Sequence, residues 1–495
     1  MTQAPLPSLP DPWAVPGEVP VIEAAQPPRE RRRGLVVAGS VAALGVIGGL
    51  AWAGSNWLSG GGGPKPSEAL PANTIAYAAA DLDPSGSQKI DAIRFVMKLP
   101  RGNSPAPDVT ESSDLRRMLF EDIQSEGAWT GLDYATDVEP WLGTRFGVAL
   151  LPGEGGKEPT QLFVLPVKDG AAARAGLAKL DKSTGACEVG TDFALCSSTS
   201  EAAAAAAAAA KTSTLESQAS FSGMLDRVGR NGVAEFWADA AAFSTALPSA
   251  LGGSTAGLTT SGLASSGQFA GVLRFNGPRL ELVGRAENSD TPFVGTGATS
   301  ITKLPADTVA AFALAHGGEQ FKASWASVEK QLAALDENAA SSAEEALGMS
   351  IGDAVAAVLG TDFVLAFGGS GSEGGLPLVA LRTDGAKDTI SSLLSTLGET
   401  SPMTQQTVGE REVIATDATY AEKIGTGSGL GSESAFTDAV VDADKARIAA
   451  FIRFDKIAAQ LPAADREELA GLGVLGLSVT GEGTTAEFTL RLTTT

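Results

Sequence analysis

Few side chains in this sequence are suited to chemistry, and their spacing limits what each can do. Cys187 and Cys196 flank a turn at Gly190, Thr191 and Asp192. Facing positions on two antiparallel strands bring such a pair near enough to bridge, and an oxidising compartment permits it. Two free thiols in a core are the alternative. Two cysteines and the single His316 cannot build a standard zinc site. His316 follows an expected strand and precedes Gly317 and Gly318. A general base there needs a nucleophile and an orienting acid to which the sequence does not point, so polar surface is its plainer role. Asp81 and Asp83 end another expected strand, where paired carboxylates suit a divalent cation. Asp83 capping the next helix and Asp81 shaping the turn account for them more simply. GSGSEG at 369–374 has the glycine spacing of a dinucleotide loop. That loop must open a helix, whereas LPLVAL at 376–381 reads as a strand, so a hairpin turn is expected. No catalytic, cofactor-binding or metal-binding residue is therefore assigned, and Cys187 and Cys196 stand as a candidate disulfide.

The elements that would hold these residues read as α+β, with a largely antiparallel sheet and covering helices. Strand 74–81 ends in a turn, and Ile90, Ile93 and Met97 then recur at helical spacing. Segments 144–151 and 161–167 form a hairpin, followed by a helix at 170–182, a second hairpin carrying the cysteines, and helices around 200–230. A strand at 233–239 and a third hairpin, 269–275 with 280–285, follow. Adjacent hairpins imply antiparallel sheets with helices on one face. Glu201, nine alanines and Lys211 make a strong helix whose end charges match the macrodipole and whose surface offers packing but no chemistry.

Residues 35–58 (LVVAGSVAALGVIGGLAWAGSNWL) carry no charge. At about 1.5 Å per residue they span roughly 36 Å, enough to cross a hydrocarbon core of about 30 Å. Arg31, Arg32 and Arg33 precede the stretch, and Trp52 and Trp57 lie at its far end. Arginines favour the cytoplasmic side and tryptophans the interface, so the N-terminus is expected inside and the rest outside. A cleaved signal peptide is the rival, because Ala51-Trp52-Ala53 resembles a cleavage site. Gly45, Gly49 and Ala53 have the four-residue spacing that lets two helices approach, so a homodimer through them is one further expectation, against chance in a Gly- and Ala-rich chain. Residues 1–28 hold eight prolines and no hydrophobic periodicity, which predicts a disordered tail. The formal net charge is −22, and residues 1–34 hold four acids and four arginines that cancel, so the excess lies beyond the apolar stretch. Such a surface repels phosphate backbones, which argues against nucleic acid as a partner.

The outer region repeats one plan. LPANTIA at 70–76 returns as LPADTVA at 304–310, WLGTRF at 141–146 as VLGTDF at 358–363, and LPVKDGA at 165–171 as ALRTDGA at 380–386. EFW at 235–237 with ALP at 246–248 parallels AFI at 450–452 with QLP at 460–462. Order is kept while spacing drifts, as expected of two tandem copies of a mixed unit. The expected layout is a cytoplasmic Pro-rich tail at 1–33, a transmembrane helix at 34–58, a Gly-rich linker at 59–69, and extracytoplasmic copies at 70–300 and 301–495.

LPANTIAYAAADLDPSGSQKIDAIRFVMKLP at 70–100 and GLDYATDVEPWLGTRFGVALLP at 131–152 resemble signature stretches of the domain of unknown function 3352 family. The resemblance, taken over roughly residues 30–495, implies a mostly actinobacterial envelope protein with a Pro-rich cytoplasmic tail, one membrane span and an outer region. It carries over no activity and no site residue. The function expected is that of a single-pass cell-membrane protein whose outer region is a non-enzymatic binding module for envelope proteins or cell-wall polymer. A carrier or sensor of an apolar small molecule is the alternative, and a hydrolase using His316 or Asp81 and Asp83 comes last.

Overall fold

A computed structural model describes residues 63–96 except 83 and 85, 98, 116–117, 120–121, 124, 131–153, 159–179, 186–243, 266–290, 292–335, 344–345, 348–370, 377–396, 403–462, 466–467 and 469–495. The expected tail, the span with Gly45, Gly49 and Ala53, residues 59–62 of the linker, and Asp83 lie outside the described residues. Among the described residues, no helix is long and apolar enough to cross a membrane.

The chain is α+β. Among the described residues, sixteen strands form one sheet: β1 Ala76–Asp81, β2 Arg145–Leu151, β3 Thr160–Pro166, β4 Ala186–Val189, β5 Phe193–Ser197, β6 Ala234–Asp239, β7 Gln268–Phe275, β8 Arg279–Glu287, β9 Ala310–Ala315, β10 Asp362–Ser370, β11 Pro377–Thr383, β12 Thr404–Val408, β13 Arg411–Ala415, β14 Ile448–Arg453, β15 Leu472–Glu482 and β16 Thr485–Thr494. Every pairing between them is antiparallel. The helices are α1 Gly86–Val96, α2 Gly170–Leu177, α3 Ser200–Thr212, α4 Ala219–Val228, α5 Gly317–Leu335, α6 Ile351–Leu359, α7 Lys387–Thr396, α8 Ala418–Thr426, α9 Ser434–Ala439 and α10 Phe454–Ala458.

Along the sheet the order is β12-β13-β11-β10-β9-β14-β15-β16 and then β8-β7-β6-β1-β2-β3-β5-β4. Read from either edge towards the middle, each half has the same sequence of strands once eight is added to the numbers of the first. The sequence leaves open how two such halves meet. They meet by pairing β8 with β16, in register from Arg279↔Thr493 to Ala286↔Ala486. The repeated LPAxT segments have a matching local structure. Thr74 Oγ1 donates to Pro71 O at 2.7 Å, and Thr308 Oγ1 donates to Pro305 O at 2.7 Å, each closing a turn just before a strand.

Helices lie on both faces of the sheet, not on one as the hairpin pattern suggested. Consecutive residues of a strand point to opposite faces. Leu162 and Val164 of β3 join Phe193 and Leu195 of β5 in one core with Leu215, Phe221, Met224 and Leu225, which belong to α4 and the turn before it. Leu165 and Ala194, on the other face, pack with Trp141, Val138 and Ala173, from α2 and a π-helical turn at Tyr134–Val138. Ala92 and Phe95 of α1 cover Leu273, Phe275 and Leu280, with Leu492 of β16 at the margin, so α1 bridges the seam between the halves. Ile90 is 44% exposed, while Ala92 and Phe95 are buried. In the second half Val364, Ala366, Val413, Ala449 and Phe451 pack against Tyr420, Ile424 and Phe436 of α8 and α9.

Candidate functional site

Cys187 and Cys196 are Cα partners on β4 and β5 and are joined by a disulfide that fastens the edge strand to its neighbour. His316 adopts a left-handed φ of 55° directly after β9. Its Nε2 lies 2.6 Å from Thr296 O, and Glu319 Oε2 lies 3.4 Å from its Nδ1. A bond to a carbonyl requires the Nε2–H form. The ring therefore fastens β9 to the 292–300 segment that joins the halves, where Arg447 also donates to Gly295 O at 3.0 Å and Gly297 O at 3.1 Å. Asp81 accepts from Arg145 Nε at 2.8 Å. Among the described residues, no group of three or more His, Cys, Asp or Glu side chains is placed to hold a metal ion. Residues 371–376 lie outside the described residues, but Ser370 pairs with Pro377, so the glycine spacing there joins two antiparallel strands.

The structure brings together two groups that the sequence did not single out. The first surrounds a cavity of about 100 Å³ beside β1 and β6, lined by Lys65, Asp81, Arg145, Arg230 and Glu235. Its charges are paired internally. Glu216 accepts from Lys65 Nζ at 3.0 Å, Ser67 Oγ at 2.8 Å and Arg230 NH1 at 3.0 Å, and Arg145 also donates to Gly63 O at 2.7 Å. These bonds fasten residues 63–67, expected as part of the Gly-rich linker, to the body of the sheet. Tyr77, 3% exposed, donates to Glu235 Oε1 at 3.0 Å. Burial raises the Glu235 carboxyl above its ordinary value, more than Arg230 and the Tyr77 hydroxyl lower it. A carboxyl raised on folding holds its proton more tightly in the native state. Its stabilisation is present below the unfolded value and is lost as pH rises through the folded one. Glu235→Gln keeps an acceptor for Tyr77 without the charge. It should raise the Tm at pH 7 by about 1–2 °C, with the gain vanishing near pH 4; melting curves across that range check it.

The second group surrounds a cavity of about 250 Å³ in the other half of the chain. Pro305 and Thr308, from the turn before β9, form one side, and Gly368 and Leu378, from β10 and β11, form the floor. Tyr420 and Lys423, one turn of α8 apart, form the other side. Asp417 starts α8 by accepting from Tyr420 N at 2.8 Å, which fixes where the Tyr420 side chain leaves the backbone. Lys423 pairs with Asp307 at the mouth. Tyr420 is 5% exposed, and its hydroxyl has no hydrogen-bond partner in the structure. Burial pushes that hydroxyl well above the ordinary tyrosine value, and the nearby Asp307 charge adds to the effect. A Cβ on Gly368 would come within 2.7 Å of the Tyr420 ring, so a side chain there would push the ring aside.

Among the described residues, the matching place in the first half is filled. Ala149 lies between Tyr77 and Leu162, as Ala366 lies between Ala311 and Ala380, so Leu151 holds the place of Gly368 and fills it with a side chain 8% exposed. The corresponding helix, α3, is the polyalanine one. A missing side chain at one strand position and a tyrosine on a helix 52 residues later in sequence leave no local signal to read.

Fold and cavities define an α+β protein built on one broad antiparallel sheet, with a small side pocket in one half. Residues 35–193 match the profile of a family described as Protein of unknown function (DUF3352). The resemblance to that family therefore holds over a stretch that contains both signature segments, 70–100 and 131–152, while the extension to 495 lies beyond the match. Neither the comparison with curated proteins nor that with solved structures gave a match.

Proposed function

We propose that this chain is a single-pass membrane protein whose sheet faces outward as a non-enzymatic binding module in the cell envelope. The observation that carries this reading is the order of parts at the N-terminus. Arg31, Arg32 and Arg33, an uncharged apolar stretch at 35–58 and four glycines at 60–63 are followed by Lys65 and Ser67, which fasten the second half of the expected linker to Glu216. The Cys187–Cys196 disulfide suits an oxidising exterior. The repeated sequence segments and the matching strand order of the two halves support two tandem copies of one unit, and the cavity under α8 lies where Leu151 fills the matching place of the first copy. Membrane-impermeant protease on intact cells tests the topology. A C-terminal epitope should be digested and an N-terminal one protected; the reverse pattern, or mature protein in the medium without its first fifty or so residues, would overturn it.

A second reading, a carrier of an apolar small molecule, has one observation in its favour. Phe312 of β9 is 36% exposed and Phe367 of β10 is 38% exposed, and they share a face because Phe312 pairs with Leu365.

A further inference from the structure

We infer that the cavity under α8 binds a single neutral sugar ring, such as one exposed unit of a surface polysaccharide. This deepens the outward-facing reading above by naming the ligand of that module. Four observations lead to it.

The volume, about 250 Å³, is below the roughly 300–1,000 Å³ that holds drug-sized ligands, so the occupant is small. The Tyr420 ring, Pro305 and Leu378 supply apolar surface, which suits the C–H face of a pyranose. The Tyr420 hydroxyl is 95% buried with its residue and unpartnered, so the occupant must offer it a hydrogen bond. A purely apolar ligand leaves that group unmet at a cost of about 1–3 kcal/mol. The charges at the mouth are already committed, Lys423 to Asp307 and Asp417 to the start of α8. An anionic ligand would therefore face two carboxylates with no free cation among the lining residues, and a cation would have to break a cap or an ion pair. A neutral molecule with one apolar face and an edge of hydroxyls meets all four conditions.

Saturation-transfer NMR on the full-length protein, kept in a detergent without a sugar headgroup, tests this with glucose, N-acetylglucosamine and glucuronate as probes. Transfer to the ring protons of a neutral sugar is expected, with little to glucuronate. Tyr420→Phe keeps the ring and removes only the hydroxyl, so it should weaken the neutral sugar about tenfold with the Tm unchanged or raised. Gly368→Ala pushes the ring into the cavity and should abolish transfer. No transfer from either neutral sugar, equal transfer from glucuronate, or affinity unchanged in Tyr420→Phe each overturns the assignment. An outward C-terminus without sugar transfer removes the ligand and leaves the topology standing, whereas transfer with a cytoplasmic C-terminus does the opposite.

Discussion

Full-length protein carrying Glu281→Lys should lose at least about 3–5 kcal/mol of stability, the usual cost of leaving a buried charge without its partner. Glu281 sits on β8 with its residue 0% exposed. It accepts from Arg274 Nε at 2.9 Å and Asn276 Nδ2 at 3.1 Å, and Arg491 NH2 lies 2.5 Å away. Arg491 is its Cα partner on β16, so the pair lies across the seam that joins the two halves. A lysine there would set three cations together where two now neutralise one carboxylate. Burial acts to raise the Glu281 carboxyl, but Arg274 and Arg491 outweigh it and hold it below its ordinary value of 4.5. A carboxyl lowered on folding stabilises above its unfolded value, and that contribution is lost as pH falls through the folded one. Glu281→Gln should therefore flatten the loss of stability below about pH 4.5 as well as lower stability at pH 7. Urea unfolding at both pH values reads the two effects. A Glu281→Lys midpoint equal to wild type would show that the seam does not depend on this carboxylate.

Phe451→Ala should cost about 3–5 kcal/mol, the range for a large aromatic removed from a core. Phe451 of β14 is 0% exposed and meets Phe436 of α9 edge to face, with centroids 5.1 Å apart at 64°. Its Cα partners are Ala311 on β9 and Gly476 on β15, neither with a side chain able to swing into the space. Ala439 O already blocks a Cβ at Gly476, so the backbone cannot close the gap either. Phe451→Leu retains most of the volume and should cost less than about 1.5 kcal/mol. Urea midpoints for the two variants check the pair, and an alanine variant within 1 kcal/mol of the leucine one would mean that the site collapses after all.

What the sequence made legible was local. The hairpins and the polyalanine helix each depend on residues a few positions apart. The two-faced cover was hidden because the strands hide it. AYAAAD in β1 places alanine on both faces, so there is no polar-out alternation to show that one face is wet. The burial along α1 was hidden too: Gln88 and Lys89 are buried beside Ala92 and Phe95, while Ile90 is outside. Gln88 manages this because it exchanges hydrogen bonds with the backbone of Phe275 at 2.7 and 2.8 Å, a partner 187 residues away. Neither the cavity nor the seam has a signature within any short window, since each depends on strands that meet only in the folded sheet.

Among the described strands β16 comes last in sequence, and yet it lies in the middle of the sheet, with β15 on one side and β8 on the other. Until β16 has been made, β8 and β15 are both open edges, and pairings separated by some 200 residues cannot form. Until then the two halves wait side by side, each offering a bare strand to any neighbour. Deletion of β16, Thr485–Thr494, should therefore produce aggregation, not a slightly shortened protein.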